Sequence, residues 1–99
     1  MKKDNLSKKE ELFMYLIRTF QSSAWIALGK MKNPMTDKTD INIEQASFYI
    51  RLLEMIQEKT KENLTDYEEQ MLINTVSELK LNLISENKIS SEKIKKKKD

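Results

Sequence analysis

Three helix-start signals divide this chain. In each, a residue with a short polar side chain is followed three positions later by Glu or Gln, at Ser7 and Glu10, Asn42 and Gln45, and Thr65 and Glu68. In such a capping box the first side chain accepts a hydrogen bond from an amide of the first helical turn, and the second side chain reaches back to the first residue's amide. Apolar residues at helical spacing follow each signal. The sequence therefore predicts three helices that take up nearly the whole chain.

The predicted helices cover residues 8–28, 43–62 and 66–85, joined by a polar connection at 30–41 and by a short turn that ends at Thr65. Gly29 can end a helix at little cost, and the short second link is typical of an antiparallel helical hairpin. We predict an all-α fold, a three-helix antiparallel domain at residues 8–87. On either side we expect a flexible basic N-terminus at 1–7 and a disordered basic C-terminal tail, rich in lysine, at 88–99.

Composition limits the classes of function. The chain has no Cys and no His, so the usual nucleophile–base pairs and zinc sites cannot be assembled. Residues 1–9 carry four Lys against one Asp, residues 10–87 eight basic against thirteen acidic side chains, and residues 88–99 six Lys against two acids. An acidic body with basic ends confines any attraction to nucleic acid to the ends. We expect no catalysis, no cofactor and no bound metal.

The first apolar stretch, residues 12–28, follows Lys2 and Lys3 as a secretion signal would. Arg18, Gln21 and neighbouring serines interrupt it, however, so it fits neither a signal nor a membrane span. We expect a cytoplasmic protein without membrane contact.

Helices one and two carry more apolar residues than one core-facing side can bury. The predicted core positions are Phe13, Leu16, Ile17, Phe20, Ala24, Ala27 and Leu28 on helix one, and Ala46, Tyr49, Ile50, Leu53, Ile56 and Thr60 on helix two. Met14 is expected to point away from the core, and the candidate interface comprises Tyr15, Trp25, Ile26, Phe48, Leu52 and Met55. A three-helix domain has no inside for these residues, so we predict a homo-oligomer, with a symmetric dimer favoured and another protein partner as the alternative.

Other polar groups are better explained by structure than by a site. Glu54, Glu58 and Glu62 are one helical turn apart and are typical of a solvated, salt-bridged helix surface. Residues 37–42 lack the ligand spacing of a calcium loop. Lys59-Thr60 could contact an anion near the start of helix three, but a capping box already occupies that terminus.

The lysine-rich tail is the candidate nucleic-acid segment. Its lysines are Lys93, Lys95, Lys96, Lys97 and Lys98. No aromatic residues lie among them to stack on bases, so we expect weak and nonspecific contact at most. The main interpretation is a self-associating interaction module or scaffold without catalysis. The alternative is a nucleic-acid-associated accessory protein, and an enzyme using Glu or Lys in a dimer cleft comes third.

The turn before helix three is the most specific local pattern. Its structural residues are Lys59, Thr60, Asn63, Leu64 and Thr65, and with Glu68-Glu69 the segment resembles a bacterial family called domain of unknown function eighteen-forty-four. Ser23-Ala24, Leu28-Gly29 and Pro34-Met35-Thr36 are also similar to that family. The resemblance covers Phe13 to about Ile84 and implies a small, helical, cytoplasmic protein, with no established activity.

The chain departs from the family at Glu62, where the family usually has Gly. If this position has a positive φ, Glu costs about 1 kcal/mol relative to Gly. We expect either that Asn63 takes the left-handed conformation or that the turn shifts by one residue.

Overall fold

Three helices form the described part of the protein. The computed structural model describes the backbone of residues 7–98 and the side chains of residues 7–89. The helices are α1 (Lys8–Ala27), α2 (Ile43–Lys59) and α3 (Asp66–Lys98), and each packs against the other two. The predicted all-α, antiparallel three-helix fold is confirmed. No helix in the described part of the chain is long and apolar enough to cross a membrane.

The caps at Ser7 and Thr65 are complete capping boxes. The Ser7 amide donates to the Glu10 carboxylate at 3.0 Å, and the Glu10 amide donates to the Ser7 hydroxyl at 3.1 Å. Thr65 and Glu68 exchange the same two bonds at 2.9 and 3.2 Å. These bonds satisfy amides that the first turn of a helix leaves without an intrahelical partner.

The cap at Asn42 is different, because its own amide is used elsewhere. The Asn42 side chain accepts the Gln45 amide at 3.0 Å. Its backbone N–H, however, donates to the carbonyl of Ala27 at 2.8 Å. This bond joins the start of α2 to the end of α1 and takes the place of the return bond from Gln45.

Gly29 ends α1. The Lys30 amide donates to the Trp25 carbonyl and the Gly29 amide to the Ile26 carbonyl, both at 3.0 Å, which is the Schellman arrangement. Gly29 has φ 77°, a conformation that glycine adopts without strain. Beyond it, the connection contains two antiparallel bridges, Leu28 with Ile41 and Asn33 with Lys38. The predicted polar connection is thus a surface loop that folds back on itself.

The core lies between all three helices. Its buried members are Ile17, Ala24, Ala27, Leu28, Ala46, Ile50, Leu53, Leu72, Val76 and Leu79. Of the α2 residues predicted in the core, Ala46, Ile50 and Leu53 belong to this set, and Tyr49 and Ile56 are partly buried against it; α3 contributes Leu72, Val76 and Leu79.

The buried side of α1 differs from the prediction at three residues. Met14 is 2% exposed, whereas Leu16, predicted in the core, is 41% exposed. Trp25, predicted on the free surface, packs against the core. α1 contacts α3 as well as α2, and its buried side extends to Met14 and Trp25 and leaves Leu16 exposed.

α3 is longer than predicted. The sequence places its end near Ser85, but the helix continues to Lys98, since no Gly or Pro follows to interrupt it. Glu86 is 9% exposed, and its carboxylate lies 3.0 Å from the Lys30 ammonium, which ties the loop to this part of α3. The expected N-terminal segment lies outside the described residues except for Ser7. The sequence predicts a disordered tail at residues 88–99, whereas the described backbone is helical as far as Lys98; the side chains of residues 90–99 lie outside the described residues.

Replacing Gly29 by Ala should destabilise the protein. A Cβ at this position would lie 2.7 Å from Ile41 Cγ1, in a backbone conformation that L-residues rarely adopt. We expect the free energy of unfolding to fall by at least about 1 kcal/mol, measured by urea denaturation. Ser22→Ala, on the exposed side of α1, is the control and should not lower stability. An unchanged midpoint for Gly29→Ala would contradict the role of this residue.

Acid stability should depend on Glu10. The Ser7 amide, which donates a hydrogen bond to its carboxylate, lowers the pKa of Glu10, and the Thr65 side chain acts in the same direction. Because the folded pKa lies below the unfolded one, of about 4.3, Glu10 stabilises the fold above that pH. This stabilisation is lost as the pH falls through the folded pKa.

We therefore expect Glu10→Gln to lose less stability than the wild type between neutral and acid pH, measured by urea denaturation at each pH. Glu11→Gln removes a carboxylate from the same helical turn without removing the capping bond, and is the control. If the free energy of unfolding falls with pH in parallel for wild type and Glu10→Gln, the Glu10 cap is not the source of the acid sensitivity.

Candidate functional site

The turn between α2 and α3 is fixed at both ends. The amide and the hydroxyl of Thr60 both donate to the Ile56 carbonyl, at 3.0 and 2.7 Å. The Asn63 amide donates to the Thr60 carbonyl at 2.9 Å, and Leu64 packs against the core. The Thr65 box then starts α3, while Lys59 is exposed. These bonds and contacts hold the turn in one conformation between the end of α2 and the start of α3.

Glu62 takes the left-handed conformation itself. Its φ is 72°, and Asn63 has no positive φ. Neither expected alternative occurs: Asn63 does not take over, and the turn does not shift. Thr60 and Leu64 are held on both sides, and Glu62, the middle one of the three residues between them, takes the positive φ that closes the turn.

The predicted stripe on α2 faces outward. Phe48 is 55% and Met55 42% exposed, and Leu52 between them is half-buried. The Phe48 ring meets the Tyr49 ring edge-on, with centroids 5.6 Å apart. The centroid of the Tyr49 ring in turn lies 6.3 Å from the ring centroid of Phe20 in α1. We call Phe48, Leu52 and Met55 the α2 stripe. It is an apolar surface in which the Phe48 ring packs on Tyr49.

The predicted interface residues of α1 are not equivalent. Tyr15 is 73% exposed, while Ile26 and Trp25 are half-buried. Trp25 contributes to the core and is not a free anchor. Tyr15, Phe48 and Met55 are thus exposed and Trp25, Ile26 and Leu52 are half-buried; that these residues form an interface stays a prediction.

Other exposed apolar residues were not predicted. Leu12 is 61% exposed on α1, and Leu81 and Ile84 are 69% and 63% exposed on α3. The signal for Leu81 is its position two residues after buried Leu79, which places it on the far side of the helix. Leu16 and Leu12 could have been found only by knowing how α1 is rotated.

A groove of about 780 Å³ lies between the end of α2 and the start of α3, and the turn closes it. Leu72 is buried, and Leu64 and Met55 also face the groove, so part of its surface is apolar. Gln57 and six charged residues form the rest: Arg51, Glu54, Glu58, Lys61, Glu62 and Glu69. Met55 belongs to both the groove and the α2 stripe, which makes them one continuous surface.

One ion pair crosses the α2–α3 seam on this side of the protein. Lys80 contacts Glu54 at 2.7 Å. The carboxylates of Glu58, Glu62 and Glu69 make no ion pair among the side chains of residues 7–89. Within that same range, no three acidic side chains are placed to share a metal ion. The groove can therefore offer apolar contact and negative charge to an elongated, positively charged ligand.

The candidate nucleic-acid lysines cannot be placed in this way. The side chains of residues 93–98 lie outside the described residues, so a nucleic-acid function of the tail stays a prediction.

Glu62→Gly should stabilise the protein by about 1 kcal/mol, because Gly removes the strain of a positive φ. Thermal and urea denaturation would measure the gain. Lys61→Gly is the matched control, since Lys61 has no positive φ and Gly there only adds freedom to the unfolded chain. A Glu62→Gly protein no more stable than the wild type would mean that the turn relaxes around Glu62 in solution.

The turn lies within a matched family region. A family model described as Domain of unknown function (DUF1844) matches residues 3–85. Comparison with curated proteins gives no match, and neither does comparison with solved structures. The resemblance expected from the turn motif is confirmed at the level of the family.

Proposed function

The chain belongs to the DUF1844 family, and from its geometry we propose that it is a self-associating protein-interaction module that acts in the cytoplasm without catalysis of its own. The favoured assembly is a symmetric homodimer. Its interface is centred on the α2 stripe.

The observation that carries this proposal is the exposure of Phe48 and Met55 on the outer side of α2. Fully burying one exposed large apolar side chain contributes about 1.5–3 kcal/mol, and a side chain that is already half-buried contributes roughly half of that. A two-fold axis brings the same patch of two copies together, so each contact is made twice. Two copies of the α2 stripe would thereby bury apolar surface that one subunit leaves in water.

The polar groups beside the exposed residues of α1 also favour contact. The Thr19 hydroxyl donates to the Tyr15 carbonyl at 2.9 Å, and the Ser23 hydroxyl to the Thr19 carbonyl at 3.1 Å. Both hydroxyls already have a partner within their own helix. Removing water from this side of α1 therefore costs less than it would with unbonded hydroxyls.

Phe48→Glu should convert a dimer into a monomer, because it would place a charge in the centre of the apolar interface. Light scattering after gel filtration at micromolar concentration measures the mass, and circular dichroism verifies that the helices are retained. The matched control is Leu81→Glu, the same kind of change at an exposed apolar residue of α3, which should stay dimeric. A monomeric wild type, or a dimeric Phe48→Glu protein, would overturn the proposal.

A further inference from the structure

The α2–α3 groove and the lysine-rich tail are chemically complementary. We propose that the groove of one copy binds residues 88–99 of a second copy. This inference rests on the proposed self-association and names which surfaces meet in it.

The groove has the composition of a site for a basic peptide. Its lining contains four carboxylates and two cationic side chains. One of the four carboxylates, Glu54, is already paired with Lys80. Glu58, Glu62 and Glu69 are exposed and make no ion pair among residues 7–89. Half-buried Leu64 and exposed Met55 supply the apolar surface of the groove.

The tail offers the matching groups. Residues 88–99 contain six Lys and two acids, with Ile89 and Ile94 among them. Lysines can meet the carboxylates while their aliphatic stems and an isoleucine cover apolar surface. The acidic body and the basic tail of the same chain therefore attract each other.

The length of α3 decides which copy supplies the tail. The helix has 33 residues, which corresponds to about 48 Å at a rise of 1.5 Å per residue. The groove lies beside its first turns, and the lysines lie at its other end. While α3 stays helical, the tail is directed away from its own groove.

A second copy removes this difficulty. If two α2 stripes meet across a two-fold axis perpendicular to the helices, the two copies run in opposite directions. The far end of α3 in one copy then comes to the end of the bundle that holds the groove in the other. Met55, which belongs to both the stripe and the groove, makes these contacts parts of one interface.

Zero-length cross-linking tests the position of the tail in the full chain. Chains labelled with 14N and 15N are mixed, and a carbodiimide joins Lys amines to carboxylates in direct contact. We expect mixed-isotope peptide pairs that link tail lysines to Glu58, Glu62 or Glu69. Cross-links confined to one chain, or the absence of any between tail and groove, would overturn the proposal.

Charge reversal tests whether the contact contributes to assembly. We expect Glu58→Lys with Glu62→Lys to weaken dimerisation roughly tenfold, and Lys93→Glu with Lys97→Glu to do the same. Combining all four changes in one chain should restore the wild-type dissociation constant, measured by sedimentation. The control, Asp40→Lys with Glu78→Lys, changes the net charge as much as the two groove substitutions do, at exposed sites outside the groove. It should leave the dissociation constant of the dimer unchanged.

The results separate this inference from the proposed function. A wild-type protein that is monomeric at all concentrations defeats both. A dimer that Phe48→Glu dissociates, but that reversal of the groove or tail charges leaves unaltered, defeats the tail contact alone. If the variant with all four substitutions does not regain the wild-type dimer affinity, direct pairing of tail and groove is likewise rejected.

Discussion

The hydrogen bond from the Asn42 amide to the Ala27 carbonyl determines much of the architecture. It attaches the first turn of α2 to the last turn of α1 at 2.8 Å. Ala24, Ala27 and Ala46 are buried in the same cluster, and side chains this small let two helices approach closely. Once Ala46, Ile50 and Leu53 face inward, Phe48, Leu52 and Met55 must face outward, since a helix carries residues two and five positions apart on different sides. The exposed stripe is therefore a consequence of how α2 is attached.

Local chemistry made the helix starts predictable, and tertiary contacts limited the rest. A cap involves residues three positions apart, so Ser7, Asn42 and Thr65 could be recognised from sequence alone. The rotation of α1 depends on where α3 packs, which no local pattern contains. That is why Met14 and Leu16 exchanged places relative to the prediction. The end of α3 was placed too early because a change in composition at residue 88 is not itself a stop signal.

The candidate site divides in the same way. The α2 stripe followed from helical periodicity once one side of α2 was assigned to the core. The groove could not be predicted without the structure of the turn, because the turn brings Leu64 and Glu69 next to side chains of α2. Glu62 shows the limit most clearly: its neighbours impose a conformation that its own side chain disfavours. Sequence could identify the position but not how the strain would be resolved.

The ion pair between Lys30 and Glu86 attaches the loop between α1 and α2 to α3 near the end of its packed part. Glu86 is the last buried residue of α3 in the described part of the chain, and Lys30 begins the connection from α1 to α2. Beyond that pair the helix continues without a Gly or Pro that could act as a joint. The distal turns of α3 therefore continue in the direction set by the part of the helix that the core and the ion pairs of Lys80 and Glu86 hold in place.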